Sequence, residues 1–371
     1  MAVQSLRLQN FTVFADARFD LCPGVNVLLG ENGTGKSHAL KAAYAMGRTL
    51  SKNRGEHSEK ESLLFKAGRL FEGVFAVDHG ALANLEHRRN QQAWVVDYER
   101  EDGWAHLEVR HGAIYDGPMV WRFALAPIFL PPREVLSMYP NFRNLYEKYE
   151  LAFDATYYDL VVTLGDPVRR KQPDWVQAIV SRLEAQLGGK VVRKGEQFVV
   201  QKADGELEIS LEAEGLRKLA TLLQLLYVGA LEPGGMLLWD EPEANMNPRL
   251  LLLMKELLLS LARAGVQILL ATHDYLLSRE LSLAAEYEGA GGLVRFFCLH
   301  KPTPDAPVQV ESGATLSDLP HDPLVAEFSA QYDRQAALFN RPPPTAPASA
   351  PVASPPTPPR LARKPRRRPQ S

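Results

Sequence analysis

Residues Gly30-Glu-Asn-Gly-Thr-Gly-Lys-Ser37 satisfy the pattern G-x-x-x-x-G-K-[S/T]. They stand between a short apolar run, Gly24-Val-Asn-Val-Leu-Leu-Gly30, and a stretch that reads as a helix from about Gly35 to Leu50. A strand feeding a glycine-rich turn and then a helix leaves few architectures open, because the apolar strand must be buried and the helix must cover its sheet. Gly33 and Gly35 let the backbone curl so that successive N–H groups point into one anion-binding nest at a helix N-terminus. Gly30, Glu31, Asn32, Gly33, Thr34 and Gly35 form that nest, Lys36 places a cation at the β- and γ-phosphates of a nucleotide, and the Ser37 hydroxyl suits Mg2+.

The second half of the chain alternates strand and helix. A helix from Glu212 to Ala230 carries Leu216, Leu219, Leu223 and Leu226 in step. Strand 236–240, helix 248–263, strand 266–271, helix 274–286 and strand 293–299 follow, a rhythm that implies a parallel sheet with helices on its faces. Met236-Leu-Leu-Trp-Asp240-Glu241 is an apolar strand ending in two carboxylates. At the C-terminal end of a parallel strand, Asp240 can reach the Mg2+ shell and Glu241 can polarise an attacking water. Ile268-Leu-Leu-Ala-Thr-His273 is another such strand. Its histidine can sense the γ-phosphate or hold the water, or it is a capping or core residue.

Before that stretch, Leu6, Leu8 and Phe11 mark an opening strand, with a second extended piece around Ala17–Leu21. Residues 51–66 are polar and read as a loop. Ala93–Tyr98, His106–Arg110 and Val120–Leu125 suggest an antiparallel sheet. Residues 133–187 turn helical, with Phe142, Leu145, Tyr146 and Tyr149 on one face, and Val191–Val200 and Leu207–Leu211 read as strands. Tyr139, Tyr146, Tyr149, Tyr157 and Tyr158 form either a partner-binding face or a small core of stacked aromatics. Arg133 and Glu134 either couple nucleotide to the helical stretch or cap a helix. A last helix fits Leu324–Phe339.

A chain of 371 residues with 46% hydrophobic and 23% charged residues is not a disordered one, and no apolar run approaches the ~20 residues that span a bilayer. The N-terminus lacks a secretory pattern, and Cys22 and Cys298 by themselves make neither a disulfide framework nor a four-ligand zinc site, so a reduced, cytoplasmic protein is expected. Seven of the 42 basic residues, none of the 44 acidic ones and eleven of the 27 prolines lie in 341–371, which leaves the first 340 residues at a net charge of −9. The proline-rich basic tail either contacts nucleic-acid phosphates without reading sequence or serves solubility. Asp305, Asp318 and Asp322 are scattered among prolines and read as loop.

Taken together, a phosphate loop, a long insertion, a helix-borne motif, Asp240-Glu-Pro-Glu and a strand ending in Thr272-His273 resemble the ABC-type ATPases. Leu8-Gln-Asn-Phe-Thr-Val-Phe and Trp239-Asp-Glu-Pro-Glu-Ala-Asn-Met-Asn-Pro resemble the SMC/RecF/OLD branch, and Phe129-Leu-Pro-Pro-Arg-Glu-Val-Leu-Ser is similar to a segment of its bacterial abortive-infection (anti-phage) AAA ATPases. The resemblance implies an α/β fold, a P-loop NTPase of ABC type with an antiparallel β lobe and a helical insertion. It implies ATP and Mg2+ bound through Lys36 and Ser37, Asp240 as the metal-side acid, Glu241 as the catalytic base and His273 as the switch histidine. Gly215 stands where the family's signature motif belongs, 25 residues before Asp240, and although Ala213 replaces the usual serine, the resemblance implies nucleotide phosphate bound at Gly215 by the N–H groups of this helix N-terminus, with Arg217 or Lys218 as helpers.

The expected organisation is 1–132 and 191–300 as two parts of one ATPase domain, 133–190 as a helical insertion, 301–340 as a helical extension and 341–371 as a disordered tail. Two protomers are expected to close around two nucleotides as a homodimer or larger homo-oligomer, with no membrane involved and with a separate nuclease or toxin as effector. The expected role is the ATPase of an anti-phage system. A DNA-repair ATPase and a nucleotide-gated scaffold are the alternatives. The insertion, about 60 residues, is too short for SMC arms.

Overall fold

The computed structural model describes residues 2–51, 60–87, 92–116, 119–120, 125–149 and 151–340. Its central sheet runs in the order β15 (Gln309–Gly313), β14 (Val294–His300), β3 (Val25–Gly30), β13 (Gln267–Ala271), β12 (Met236–Asp240), β8 (Ile128–Leu130). From β14 to β8 every pairing is parallel, and β15 adds an antiparallel edge. Every residue of β3, β12 and β13 is buried, which is why these strands read as mainly apolar runs and not as alternating ones, with Asn26, Asp240 and Gln267 their only polar positions. β13 lies between β3 and β12, so the turn after β3, the carboxylates after β12 and the histidine after β13 leave the sheet at one edge.

Alternation along these strands separates two cores. Leu28, Leu238, Leu269 and Ala271 face α1 (Lys36–Thr49) and an antiparallel lobe. Val27, Leu237, Trp239, Ile268 and Leu270 face the opposite layer, built from α4 (Ala155–Leu164), α5 (Asp174–Leu187), α6 (Glu214–Val228), α7 (Pro248–Arg263) and α8 (Tyr275–Tyr287). The lobe is ordered β2 (Phe14–Asp20), β1 (Val3–Phe11), β4 (Trp94–Arg100), β5 (Gly103–Arg110), β6 (Ala113–Asp116), with β7 (Met119–Val120) also on β5. A separate three-stranded meander, β9 (Gly189–Lys194), β10 (Gln197–Lys202) and β11 (Gly205–Glu208), follows α5.

One buried amide ties lobe to sheet. Gln267 at the start of β13 accepts from the Val3 N–H at 2.8 Å and donates to the carbonyls of Val3 and Cys22, each at 2.8 Å. Replacing it by Leu keeps the volume but removes this partner from the buried Val3 N–H and C=O, while the Cys22 carbonyl keeps its bond from Asn26, so Gln267→Leu should lower unfolding free energy by roughly 2–3 kcal/mol. Urea denaturation measures this, and an unchanged midpoint would contradict it.

Several expectations need correction. The stretch 51–66 is not all loop: α2 (Lys60–Phe75) begins within it, because Leu63, Ala67, Phe71 and Val74 bury one helical face behind a polar start, while 52–59 lie outside the described residues. The helical stretch begins not at 133 but at α3 (Phe142–Lys148), after turns around Pro140. Phe142 is buried, but Leu145 on that helix and Tyr149 just past its end are exposed. Of the tyrosines, Tyr146 stacks on Tyr158 at 4.8 Å and Tyr139 meets Phe198 edge-on at 4.7 Å, a small aromatic core. Of Val120–Leu125, residues 121–124 lie outside the described residues. The 301–340 stretch is not simply helical: it supplies β15 before α9 (Pro323–Phe339).

Residues Met1–Glu327 form one compact unit and Phe328–Ser371 a second, small one whose described part is the end of α9, with Tyr332 and Phe339 exposed. The basic tail lies outside the described residues. Among the described residues no helix is long and apolar enough to cross a membrane.

Candidate functional site

The turn between β3 and α1 is shaped for an anion. Gly33 and Gly35 have φ of 78° and 93°, left-handed values that a side chain strains to adopt. A Cβ on Gly35 would also stand 2.5 Å from Val13. No side chain caps α1, so its first-turn N–H groups face the turn as donors for a bound anion. Thr34 closes the loop by donating its hydroxyl to the Glu31 carbonyl at 2.8 Å. Glu31, Asn32 and Gly33 form its exposed rim.

Lys36 is 8% exposed and donates from Nζ to the carbonyls of Gly30 at 2.7 Å and Glu31 at 3.0 Å. Burial holds its ammonium below the usual lysine range, against the attraction of Asp240, Glu241 and Glu243. Those three acids are thus close enough to Lys36 to act on its charge. The cation is held over the loop that would receive phosphate.

Asp240, at the last position of β12, is buried and its carboxyl is pushed up to about 6 by burial. A hydrogen bond with Ser37 opposes that shift, Glu241 adds to it, and Lys41 and Lys36 pull against it. A buried carboxylate in contact with a hydroxyl offers two hard oxygen donors and little else, the partial ligand set that Mg2+ takes while keeping waters and phosphate oxygens. The residues therefore fit the metal.

Glu241 follows in the left-handed region, with φ of 49°. A non-glycine residue held there costs of order 1–3 kcal/mol and persists only where its surroundings fix it. Here the Glu241 N–H donates to the Ala271 carbonyl at 2.9 Å, and the Glu241 carbonyl accepts from Lys218 Nζ at 2.8 Å. The side chain is left partly exposed. His273 Nδ1 stands 3.7 Å from Glu241 Oε1 and 3.5 Å from Glu243 Oε1, and the ring is half exposed. Glu243 is buried, accepts from the His273 N–H at 3.1 Å, and is held above the ordinary carboxylate range by burial.

Lys36, Ser37, Asp240, Glu241 and His273 therefore meet at one sheet edge. Gly215 has a different place. A Cβ there would stand 2.9 Å from the Asn245 carbonyl and 3.3 Å from Met246, so in this chain the glycine lets α6 pack on the loop after β12. Ala213 is the exposed N-cap of α6 and offers no hydroxyl.

One acid of the site carries no assigned role in the sequence. Glu243 stands in the quoted Asp-Glu-Pro-Glu run, and its signal was the second acid of that run. Lys218 ties α6 to the loop after β12 and the Arg217–Glu134 pair, 2.7 Å apart, ties it to the turns after β8, two links that only the tertiary structure reveals. Glu134 also accepts from the Ser137 N–H, so it both caps a turn and couples two elements.

Comparison with known proteins gives three findings. The model of the family described as "AAA domain, putative AbiEii toxin, Type IV TA system" matches residues 47–279. The DNA replication and repair protein RecF of Staphylococcus epidermidis is 31% identical over 83 residues, 22% of each chain, and that of Salinibacter ruber is 41% identical over 51 residues, 14% of this chain and 12% of its own. The matched segment thus spans about a fifth or less of these relatives' length. An Smc head bound to the C-winged helix domain of ScpA superposes with a TM-score of 0.57 at 11% identity, over 85% of this chain and 99% of that one. That likeness shows the fold.

Proposed function

The chain belongs to this family of AAA domains, with the fold of a P-loop NTPase of ABC type, and from that premise we propose a Mg2+-dependent ATPase that serves as the sensor component of an anti-phage system. The observation that carries the chemistry is the convergence of three strand ends. β3 delivers Lys36 and Ser37, β12 delivers Asp240 and Glu241, and β13 delivers His273 between them.

The nest and the first turn of α1 would hold the phosphates, and Lys36 would exchange its two loop carbonyls for phosphate oxygens. A cleft of about 400 Å³ lined by Thr12, His38 and Phe75 opens beside α1 and suits the base and ribose. Ser37 and Asp240 would hold Mg2+, which when bound neutralises charge on the phosphates. Glu241 polarises the attacking water and takes its proton. His273, beside both Glu241 and Glu243, orients that water toward the γ-phosphate. Lys218 is a positioning residue, fixing the strained Glu241 backbone from α6.

The defence role rests on the family description, which names a toxin–antitoxin setting. A homodimer closing over two nucleotides is supported by the ABC-type fold. The similarity to RecF favours a second reading, a DNA-repair ATPase.

Two measurements test the proposal. Phosphate release from ATP by the full chain should stop with EDTA and return with excess Mg2+; absence of release at any Mg2+ concentration would leave a nucleotide-gated scaffold. Phage plating should fall on cells expressing the chain with its genomic neighbours and recover with Lys36→Ala. Equal plating in both would sink the defence reading, and salt-sensitive duplex binding would then support repair.

A further inference from the structure

The end of β14 carries a second cluster of metal-binding side chains, away from the phosphate loop's acids. His300, Glu311 and His321 each offer one ligand atom, and these atoms lie within 4.8 Å of one another. His321 Nδ1 is 2.6 Å and His300 Nε2 is 3.3 Å from Glu311 Oε1, and the two imidazoles stack with centroids 4.7 Å apart.

The fold builds this arrangement from distant pieces. In the β14–β15 register Cys298 faces Glu311 and His300 faces Gln309, so Cys298, His300 and Glu311 share one face of the antiparallel pair. His321 arrives from the loop after a 3-10 turn at Leu316–Asp318. The Cys298 thiol holds that loop by donating to the His321 carbonyl at 3.3 Å.

The hydrogen bonds present do not account for the cluster. His300 Nε2 and Glu311 Oε2 are both buried without a hydrogen-bond partner, and so is Oδ2 of the neighbouring Asp322, a residue only 4% exposed. Buried polar atoms are nearly always paired, and an orphaned imidazole nitrogen facing a carboxylate oxygen is what an ion would satisfy. Around a tetrahedral zinc-class ion, with bonds of about 2.0–2.2 Å, ligand atoms stand roughly 3.4 Å apart. Reaching that spacing takes shifts of about an ångström or less.

We propose that His300, Glu311 and His321 bind one divalent transition-metal ion of the zinc class, as a site distinct from the Mg2+ position at Ser37 and Asp240. Two imidazoles and one carboxylate select such an ion over Mg2+, which prefers oxygen donors. The site has a structural consequence. Leu299 of β14 pairs with Gly30, so a metal on the next residue pins the edge hairpin and the 321 loop beside the first glycine of the phosphate loop.

The test uses the untagged full chain, without nucleotide, in excess Mg2+ to fill oxygen-donor sites. Titration with Co2+, followed by its visible absorption, and competition with Zn2+ should show one equivalent bound per chain. Zn2+ should also raise the unfolding temperature. His300→Ala and His321→Ala should each weaken binding at least tenfold and abolish the thermal shift, whereas Asp240→Asn should leave both. His321 is exposed, so its variant should keep the wild-type circular dichroism and report binding even where His300→Ala does not fold. Absence of stoichiometric binding by wild type, or unchanged affinity in His321→Ala, would overturn the proposal.

Discussion

Glu241→Gln should bind ATP as wild type does while turnover falls by roughly 10²-fold or more. The substitution keeps the side-chain volume and the backbone contacts to Ala271 and Lys218, so the left-handed conformation at this residue persists. What disappears is the basic oxygen. An amide cannot take the proton of the attacking water, and His273, 3.7 Å from the carboxylate, loses its charged neighbour on that side. With hydrolysis blocked, the ATP-bound form should accumulate, and size-exclusion chromatography in ATP should show a dimer in the variant that wild type populates only transiently. Equal turnover in the two proteins would reassign the base, with Glu243 and His273 the next candidates.

Lys36→Ala should act at the earlier step. The substitution removes the ammonium that lies over the loop and takes its bond from the Gly30 carbonyl, while the Glu31 carbonyl keeps the Thr34 hydroxyl as donor. Charge-assisted bonds of this kind contribute about 1.5–3 kcal/mol, so ATP affinity in Mg2+ should fall roughly 10- to 100-fold by calorimetry. The loop itself should survive, because the Thr34–Glu31 bond and the two left-handed glycines shape it independently of the lysine. Wild-type affinity in this variant would mean that phosphate does not enter the nest.

The parts of this protein that were legible in its sequence are those fixed by local chemistry. β3, β12 and β13 stand out as short, mainly apolar runs, broken in β3 only by the buried Asn26, and the glycine spacing locates the turn without any tertiary contact. The strand order, with β13 between β3 and β12, is a different matter. It places His273 beside Glu241, and no local pattern encodes it. Lys218 is one of two adjacent basic residues at the start of an amphipathic helix until the fold sets it under the Glu241 carbonyl. Gly215 shows the reverse case: a motif position suggested phosphate, while the packing against Asn245 gives the glycine a steric role within the chain.

Sheet pairing hid the rest. β15 is short and half exposed, with neither strict alternation nor an apolar run to mark it. His300, Glu311 and His321 are spaced 11 and 10 residues apart, which matches no metal-ligand motif, and they meet only because β14 and β15 pair in one register. α2 was obscured because its first turn is polar and its apolar residues recur at helical spacing only from Leu63 onward.

On the proposed function, one cleft at the ends of β3, β13 and β12 both binds ATP and hydrolyses it. The most direct test measures ATP affinity and single-turnover phosphate release on the same preparations of wild type, Lys36→Ala and Glu241→Gln. The predicted pattern is dissociation of the two activities: Lys36→Ala loses affinity, and Glu241→Gln keeps affinity but releases phosphate at least 10²-fold more slowly. Wild-type affinity in Lys36→Ala together with wild-type release in Glu241→Gln would contradict it and place the chemistry elsewhere in the chain.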